Sequence, residues 1–250
     1  TLNFPVPPKL PDTVLAAIPH LPVKPESVSI TGRYIRLEPT VLERDGERLY
    51  GISNGQAATL GDHSIGAYDP DERIWRYLFS WPFASIEDFI AYMQPQIAAA
   101  NGLCYTVFDV KAGESVGVIN YMNNFPDHLK IELGSIWYSP LVQRTHANTE
   151  ATYLLLQRAF DLGYRRLEWK CNALNERSRR AALRMGFQFE GIQEAHLIVK
   201  GCNRDTAWFS ITDGEWPLRK AALERWLSPA NFDAQGRQRT RLNAQASHGG

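Results

Sequence analysis

The residues whose types and spacing could do chemistry gather in one stretch of the chain, from Ile131 to Gly186. At its centre lies the polar turn QRTHAN, residues 143–148, running straight into a helical pattern that opens with Thr149 and Glu150. The first turn of a helix presents unpaired backbone N–H groups and the positive end of the helix dipole, so small and polar residues there can cradle a phosphate. The same residues also suit an ordinary loop with Asn148 or Thr149 as the N-cap. Context has to choose between them.

Other reactive side chains are placed by strand and helix patterns. Glu132 falls on the strand pattern 130–138, and Glu194 and His196 fall two residues apart on a later one, where an alternating strand puts them on one face. Asn175 and Ser178 have the N-x-x-S spacing of a helix start. The segment 74–85, IWRYLFSWPFAS, crowds Trp75, Tyr77, Phe79, Trp81 and Phe83 together, a density that serves a core or walls a ligand pocket. Cys104, Cys171 and Cys202 are far apart and have no Cys/His ligand spacing, so neither a disulfide framework nor a metal site is expected.

The elements that must position these groups follow from periodicity. Residues 131–138, 149–162, 165–171 and 175–186 read as strand, helix, strand and helix, and the long helix between the two strands requires a parallel crossover. Before them, 103–109, 115–122 and 130–138 have short connections and suit an antiparallel meander. Gly163 and Gly186 stand at helix ends, Ser85 at a helix start, and 187–199 with 204–213 should close a hairpin around Lys200 and Gly201. The pattern further predicts helices over 41–53, 85–100 and 216–227, and a loop over 54–73. Seven prolines between Pro5 and Pro25 predict an extended arm over residues 1–31, lying across the domain or across a neighbour. Residues 32–227 form the domain, and the polar, Arg-rich stretch 228–250 is expected to be a disordered tail.

Composition sets the limits. With 44% apolar and 22% charged residues in 250, one domain with a full core is expected. The 27 basic and 27 acidic residues cancel, which gives no general attraction to nucleic acid or to an anionic membrane. No run has the length of a membrane span, and the opening TLNFPVPPKLP has neither a basic nor an apolar leader region, so a soluble protein of the reducing cytoplasm is expected.

Taken in order, IELGSIWYSP, QRTHANTEA, LEWKCNALNERSRRAALRMGF with FEG, and RDTAWFSITDGEWP resemble the GNAT superfamily of acyl-CoA-dependent N-acyltransferases. More narrowly, they resemble the branch that includes the N-terminal acetyltransferases of ribosomal proteins. The resemblance covers about Gly32 to Leu227. It implies an α/β fold whose mixed, mostly antiparallel sheet of about seven strands is splayed between the fourth and fifth and flanked by about five helices. It implies acetyl-CoA as co-substrate and no metal. Gln143, Arg144, Thr145, His146, Ala147, Asn148 and Thr149 would hold the pyrophosphate, although Arg144, His146 and Asn148 stand where the family usually has small residues; Arg144 would pair with a phosphate. Backbone groups of Ile136 and Tyr138 would take the pantetheine arm as an added strand, and Asn175 and Ser178 would lie beside it.

Acyl transfer to an amine needs a base, a polarised carbonyl and a proton for the departing thiolate. By the resemblance, Glu132 is the first candidate for the base, with Glu194 and His196 in reserve. Ser178 is the candidate acid, since Ala182 occupies the position of the family's common tyrosine. Trp75, Phe79, Trp81 and Ser135 would shape the acceptor pocket, and Asp62, His63, Glu87 and Glu194 could attract a cationic amine. The acceptor is then a primary amine of a peptide, a protein or a small molecule, and the protein a monomer or homodimer. Two alternatives are a longer acyl chain passed to a peptide natural product, and a CoA-binding or peptide-binding module without turnover.

Overall fold

The computed structural model describes residues 5–233 and 236–245. Its ten strands are β1 (Ile30–Thr31), β2 (Ile35–Pro39), β3 (Ala58–Leu60), β4 (His63–Ile65), β5 (Leu103–Asp109), β6 (Ser115–Phe125), β7 (Lys130–Tyr138), β8 (Arg166–Asn172), β9 (Gln188–Val199) and β10 (Cys202–Thr212). The α-helices are α1 (Asp12–Leu15), α2 (Leu42–Gly51), α3 (Ile86–Ala98), α4 (Ala147–Asp161), α5 (Glu176–Arg184) and α6 (Trp216–Leu227). Eight strands form one sheet in the order β1-β2-β5-β6-β7-β8-β10-β9, and β3 and β4 make a separate hairpin inside the stretch expected to be a loop. Every pair is antiparallel except β7 with β8, which the α4 crossover makes parallel.

Two apolar clusters cover the sheet. The larger packs Leu133, Leu155, Leu156, Phe187 and Phe209 beneath α4 and α6, and the smaller packs Trp75, Phe89, Met93 and Trp137 beneath α2 and α3.

The feature that matters for function is where β7 stops pairing. On one side, Val118 pairs with Trp137 but Asn120 pairs with Gly134, so Ser135 and Ile136 together oppose Ile119 and form a bulge; Ser135 has φ 47°. On the other side the parallel ladder ends at Leu133 with Trp169, whereas β8 stays paired to β10 as far as Asn172. Residues 134–138 therefore leave β8, and a gap opens between the two strands.

Of the two placements open to the arm, the structure shows the one across its own domain: Leu21 is buried, the Lys24 Nζ donates to the carbonyls of Ile97 (3.1 Å), Ala99 (2.7 Å) and Gly102 (3.3 Å) around the end of α3, and Asn124 Nδ2 donates to those of Pro22 (2.9 Å) and Val23 (2.8 Å). Two sequence expectations need correction. The stretch after Ser228 is packed wherever it is described. Leu242 and Ala244 are buried, Ala244 N donates to Arg184 O at 3.0 Å, and Gln245 Nε2 donates to Phe187 O at 2.6 Å. Long-range hydrogen bonds hold this segment in place of a periodic apolar face, so no sequence pattern marks it; residues 246–250, the end of the expected disordered tail, lie outside the described residues. Finally, α4 begins at Ala147 with His146 as its cap, earlier than Asn148 or Thr149.

Candidate active site

The gap between β7 and β8 opens into a cleft of about 920 Å³. Its walls come from the turn before α4, the start of α5, the β9–β10 hairpin and residues 72–79.

On one wall, Arg144 takes a left-handed backbone at φ 66° without being glycine, while His146 returns to the right-handed region. A left-handed residue just before a right-handed helix start turns neighbouring N–H groups toward one point, the concave arrangement that binds anions. Two of these N–H groups are already engaged, Thr145 N donating to Val142 O at 3.3 Å and Ala147 N to Thr145 Oγ1 at 3.2 Å. Arg144 is exposed, and the His146 ring stacks on Tyr34 with centroids 4.0 Å apart, its pKa lowered by burial. Gln143 is used structurally, because its Nε2 donates to Tyr138 O (2.9 Å) and Arg73 O (3.1 Å) while its Oε1 accepts from Arg73 (3.1 Å). The Tyr138 carbonyl is thus engaged, and Ile136, in the bulge, is the residue of this pair left outside the ladder. Arg144, Thr145, His146 and Asn148 line the cleft; Ala147 and Thr149 are buried in the first turn of α4 and do not.

At the root of the gap, Glu132 is 4% exposed, so it is no outward-facing strand carboxylate. Its Oε2 accepts from Asn123 Nδ2 at 2.8 Å and Lys170 Nζ at 2.7 Å. Among the described residues no donor reaches Oε1, and a Cβ on Gly134 would lie 3.2 Å from it. Gly134 is the first residue past the last β7–β8 pair, so the free carboxylate oxygen sits where the strands part.

Across the gap, Asn175 caps α5 by accepting from Ser178 N at 3.1 Å. The Trp169 indole N–H donates to Ser178 Oγ at 3.0 Å. With one lone pair so occupied, the hydroxyl keeps its own proton to donate. Beside it, burial pushes the Cys171 thiol up, with the Ser178 hydroxyl opposing.

The remaining expected residues separate. Ser135, Phe79 and His196 line the cleft, the last with Nδ1 at 2.9 Å from Thr206 Oγ1. Glu194 is exposed and outside it, because Ala195 at φ 47° breaks the alternation of β9 that was expected to pair Glu194 with His196 on one face. Trp75 is fully buried and donates to Ser53 O at 2.8 Å, and Trp81 is 58% exposed with Lys200 over its ring; neither lines the cleft. Asp62, His63 and Glu87 are exposed on the surface away from it. Among the lining residues that escaped the sequence reading are Asn123, Lys170 and Arg204. Lys170 carried a visible signal, a lone cation inside the apolar strand LEWKC, and Arg204 stood in the quoted RDTAWFSIT without a role.

Among the described residues, no group of three or more His, Cys, Asp or Glu is placed to hold a metal ion, and no helix is long and apolar enough to cross a membrane.

Comparison with known proteins agrees with this geometry. The acetyltransferase (GNAT) domain family matches residues 57–188. The structure of a GCN5-related N-acetyltransferase from Brucella melitensis is similar at a TM-score of 0.79, with 41% identity over 87% of this chain and 93% of that one. A protein described as a probable acetyltransferase (GNAT family) from Chromobacterium violaceum ATCC 12472 follows at 0.70, with 32% identity over 86% of this chain and 100% of that one. The chain belongs to the GNAT acetyltransferase family. The microcin C7 self immunity acetyltransferase MccE, in complex with acetyl-CoA and AMP, shares the fold at a TM-score of 0.56 and 22% identity, over 72% of this chain and 93% of that one. No match is found among curated proteins.

Proposed function

We propose that the chain transfers the acetyl group of acetyl-CoA to a primary amine by direct attack on the thioester. The observation that carries this reading is the meeting, in one cleft, of a strand gap, a left-handed turn before α4 and a buried carboxylate with one free oxygen. The residues present fit the co-substrate, since the left-handed Arg144 supplies the backbone turn that glycine supplies elsewhere in the family and its side chain is exposed at the cleft.

Bound acetyl-CoA would supply an activated carbonyl and a thiolate leaving group. Backbone N–H groups of the turn and first turn of α4, other than those of Thr145 and Ala147, would hold its pyrophosphate, with the Arg144 guanidinium as a second contact. The unpaired backbone at Ile136 would hydrogen-bond the pantetheine arm and aim an N–H at the thioester oxygen. Glu132 Oε1 would receive the proton of the attacking amine, directly or through a water, while Lys170 and Asn123 fix the carboxylate. As the C–N bond forms and the C–S bond breaks, the Ser178 hydroxyl would relay a proton to the sulfur and regain its own from water in the cleft. His196, steadied by Thr206, is the reserve base. The three free cysteines, two of them buried, support a reducing compartment such as the cytoplasm.

The test has two arms. Acetyl-CoA at a hundredfold excess over its Kd should raise Tm by roughly 5–10 °C, and the absence of any shift overturns the reading. With a panel of acyl-CoAs and amines, mass spectrometry should find acetylated product, and Glu132→Gln should lower kcat by about 10²-fold or more at little change in the Kd for CoA. Product from longer acyl donors alone would transfer the assignment to them, and binding without product would make the chain a CoA-binding module.

A further inference from the structure

Arg204 on β10 is a cation that the proposed chemistry does not use. It is 7% exposed, it lines the cleft, and its guanidinium lies 4.6 Å over the Phe79 ring. Among the described residues no oxygen accepts a hydrogen bond from it, and its Nε is buried without a partner. The one carboxylate beside it on β10, Asp205, is turned outward and accepts from Ala195 N at 2.8 Å and Asn203 Nδ2 at 3.0 Å.

Its placement says which part of the cleft it serves. β10 pairs with β8 in unbroken register from Thr206 to Thr212, which puts Thr206 and Trp208 on one face of the sheet, and Arg204, paired with Leu197 beyond a register shift, lines the same cleft as Thr206. Lys170 Nζ lies 4.6 Å over the Trp208 ring and holds Glu132 on that same face. Arg204 and Thr206 thus line the cleft together with Glu132, on the side from which the base works. The charges there do not balance: two cations, Lys170 and Arg204, stand against the single carboxylate of Glu132, which is ion-paired with Lys170 and reaches Arg204 only through space. A buried guanidinium without an acceptor is costly, and its planar fork is matched by a carboxylate or a phosphate. A bare cationic amine would add a further positive charge to this side.

We propose that the acceptor is an amine that carries its own anionic group, a carboxylate or a phosphate, and that Arg204 binds this group and so sets the amine before Glu132. The proposal rests on the acyltransferase reading and adds the substrate class to it.

The experiment measures thiol release from acetyl-CoA with matched acceptors: amino acids, their amides and methyl esters, and aminoalkyl phosphates. In the native protein the anionic member of a pair should exceed its neutral partner in kcat/KM by ~10- to 100-fold, with amino acids and aminoalkyl phosphates telling carboxylate from phosphate. Arg204→Gln should bring that ratio close to one, chiefly through KM, and Arg204→Lys should restore part of it. An unchanged Kd for CoA in each variant shows that the fold is intact. Equal rates for anionic and neutral partners in the native protein overturn the proposal, as does a ratio that survives in Arg204→Gln. If nothing in the panel turns over, the same compounds are titrated against the CoA-loaded protein. A Tm rise that needs both the anion and Arg204 then supports the assignment, and its absence overturns it. Failure to bind CoA at all would instead remove the acyltransferase reading.

Discussion

Glu150 gives the most direct test of how the cradle is held. It lies in the first turn of α4 and is buried, yet it does not line the cleft. Its Oε1 accepts from Arg33 N at 2.9 Å, and its Oε2 accepts from Tyr34 N at 2.7 Å and Ile35 N at 2.8 Å. One carboxylate thus satisfies three backbone donors where the chain enters β2, and Gly32 is beside it because a Cβ there would lie 2.7 Å from the Glu150 carboxyl carbon. In Glu150→Gln the better amide orientation keeps its oxygen on Tyr34 and Ile35 and sets an NH₂ group against the Arg33 N–H. One charge-assisted bond is lost and a buried donor is stranded, at a cost of about 2–3 kcal/mol. For a chain of this size that lowers Tm by roughly 5–10 °C. Differential scanning calorimetry reads the loss, and calorimetric titration with CoA should return a Kd within about twofold of the native value, because the carboxylate faces away from the cleft. A Tm within about 1 °C of native refutes the hydrogen-bond argument; a native Tm with a strongly weakened Kd would mean that Glu150 acts on the ligand instead.

Two further expectations concern single side chains. Burial lowers the His146 pKa below its ordinary value of about 6.5, so the unfolded chain takes the proton first and the stability contributed by the neutral ring is lost as pH falls below that value. His146→Phe keeps the stack on Tyr34 and should flatten the fall in urea midpoint between about pH 8 and pH 5; parallel curves for the two proteins would remove His146 as the cause. Ser178→Ala should reduce kcat by about tenfold, since a CoA thiolate leaves without much help. A kcat within error of native would take Ser178 off the proton path.

The parts of this protein that were legible in the sequence are those written in local periodicity. The meander, the parallel crossover, the caps at Ser85 and Asn175 and the hairpin turn at Lys200 and Gly201 all depend on neighbours within a few residues, and all are observed. Glu132, Ser135, Ile136, Ser178 and His196 were named as site residues and do meet in the cleft. What was not legible depends on contacts far along the chain. The Glu194–His196 pairing assumed an unbroken strand, and a bulge at Ala195 cancelled it. Trp75 looked like a pocket wall because of its aromatic neighbours, yet a single acceptor 22 residues earlier, the Ser53 carbonyl, draws its indole into the core. Arg204 reads as a surface charge on an alternating strand until the fold places Phe79, some 125 residues away, against it.

The bulge at Ser135 and Ile136 links the packing of the sheet to its chemistry. In a regular strand Leu133 and Trp137, four residues apart, share a face. Here Leu133 packs in the cluster beneath α4, while Trp137 packs in the other cluster with its ring 5.6 Å from that of Trp75, and Tyr138 returns to the side of Leu133. The extra residue has exchanged the faces within one strand, so the two apolar clusters themselves hold the bulge in place: straightening β7 would push the Trp137 indole out of one cluster and into the other. Gly117 is fitted to the same geometry, since a Cβ there would lie 2.4 Å from the Trp137 carbonyl oxygen. The left-handed Ser135 is thereby a consequence of core packing on both sides of the sheet. The opening that it marks, with Ile136 outside the ladder and Glu132 Oε1 at its root, is maintained by the packing of Trp137 and Tyr138 into the two clusters. This is why a polar cleft can persist in the middle of a sheet: the backbone that leaves the ladder is held away from β8 by the core.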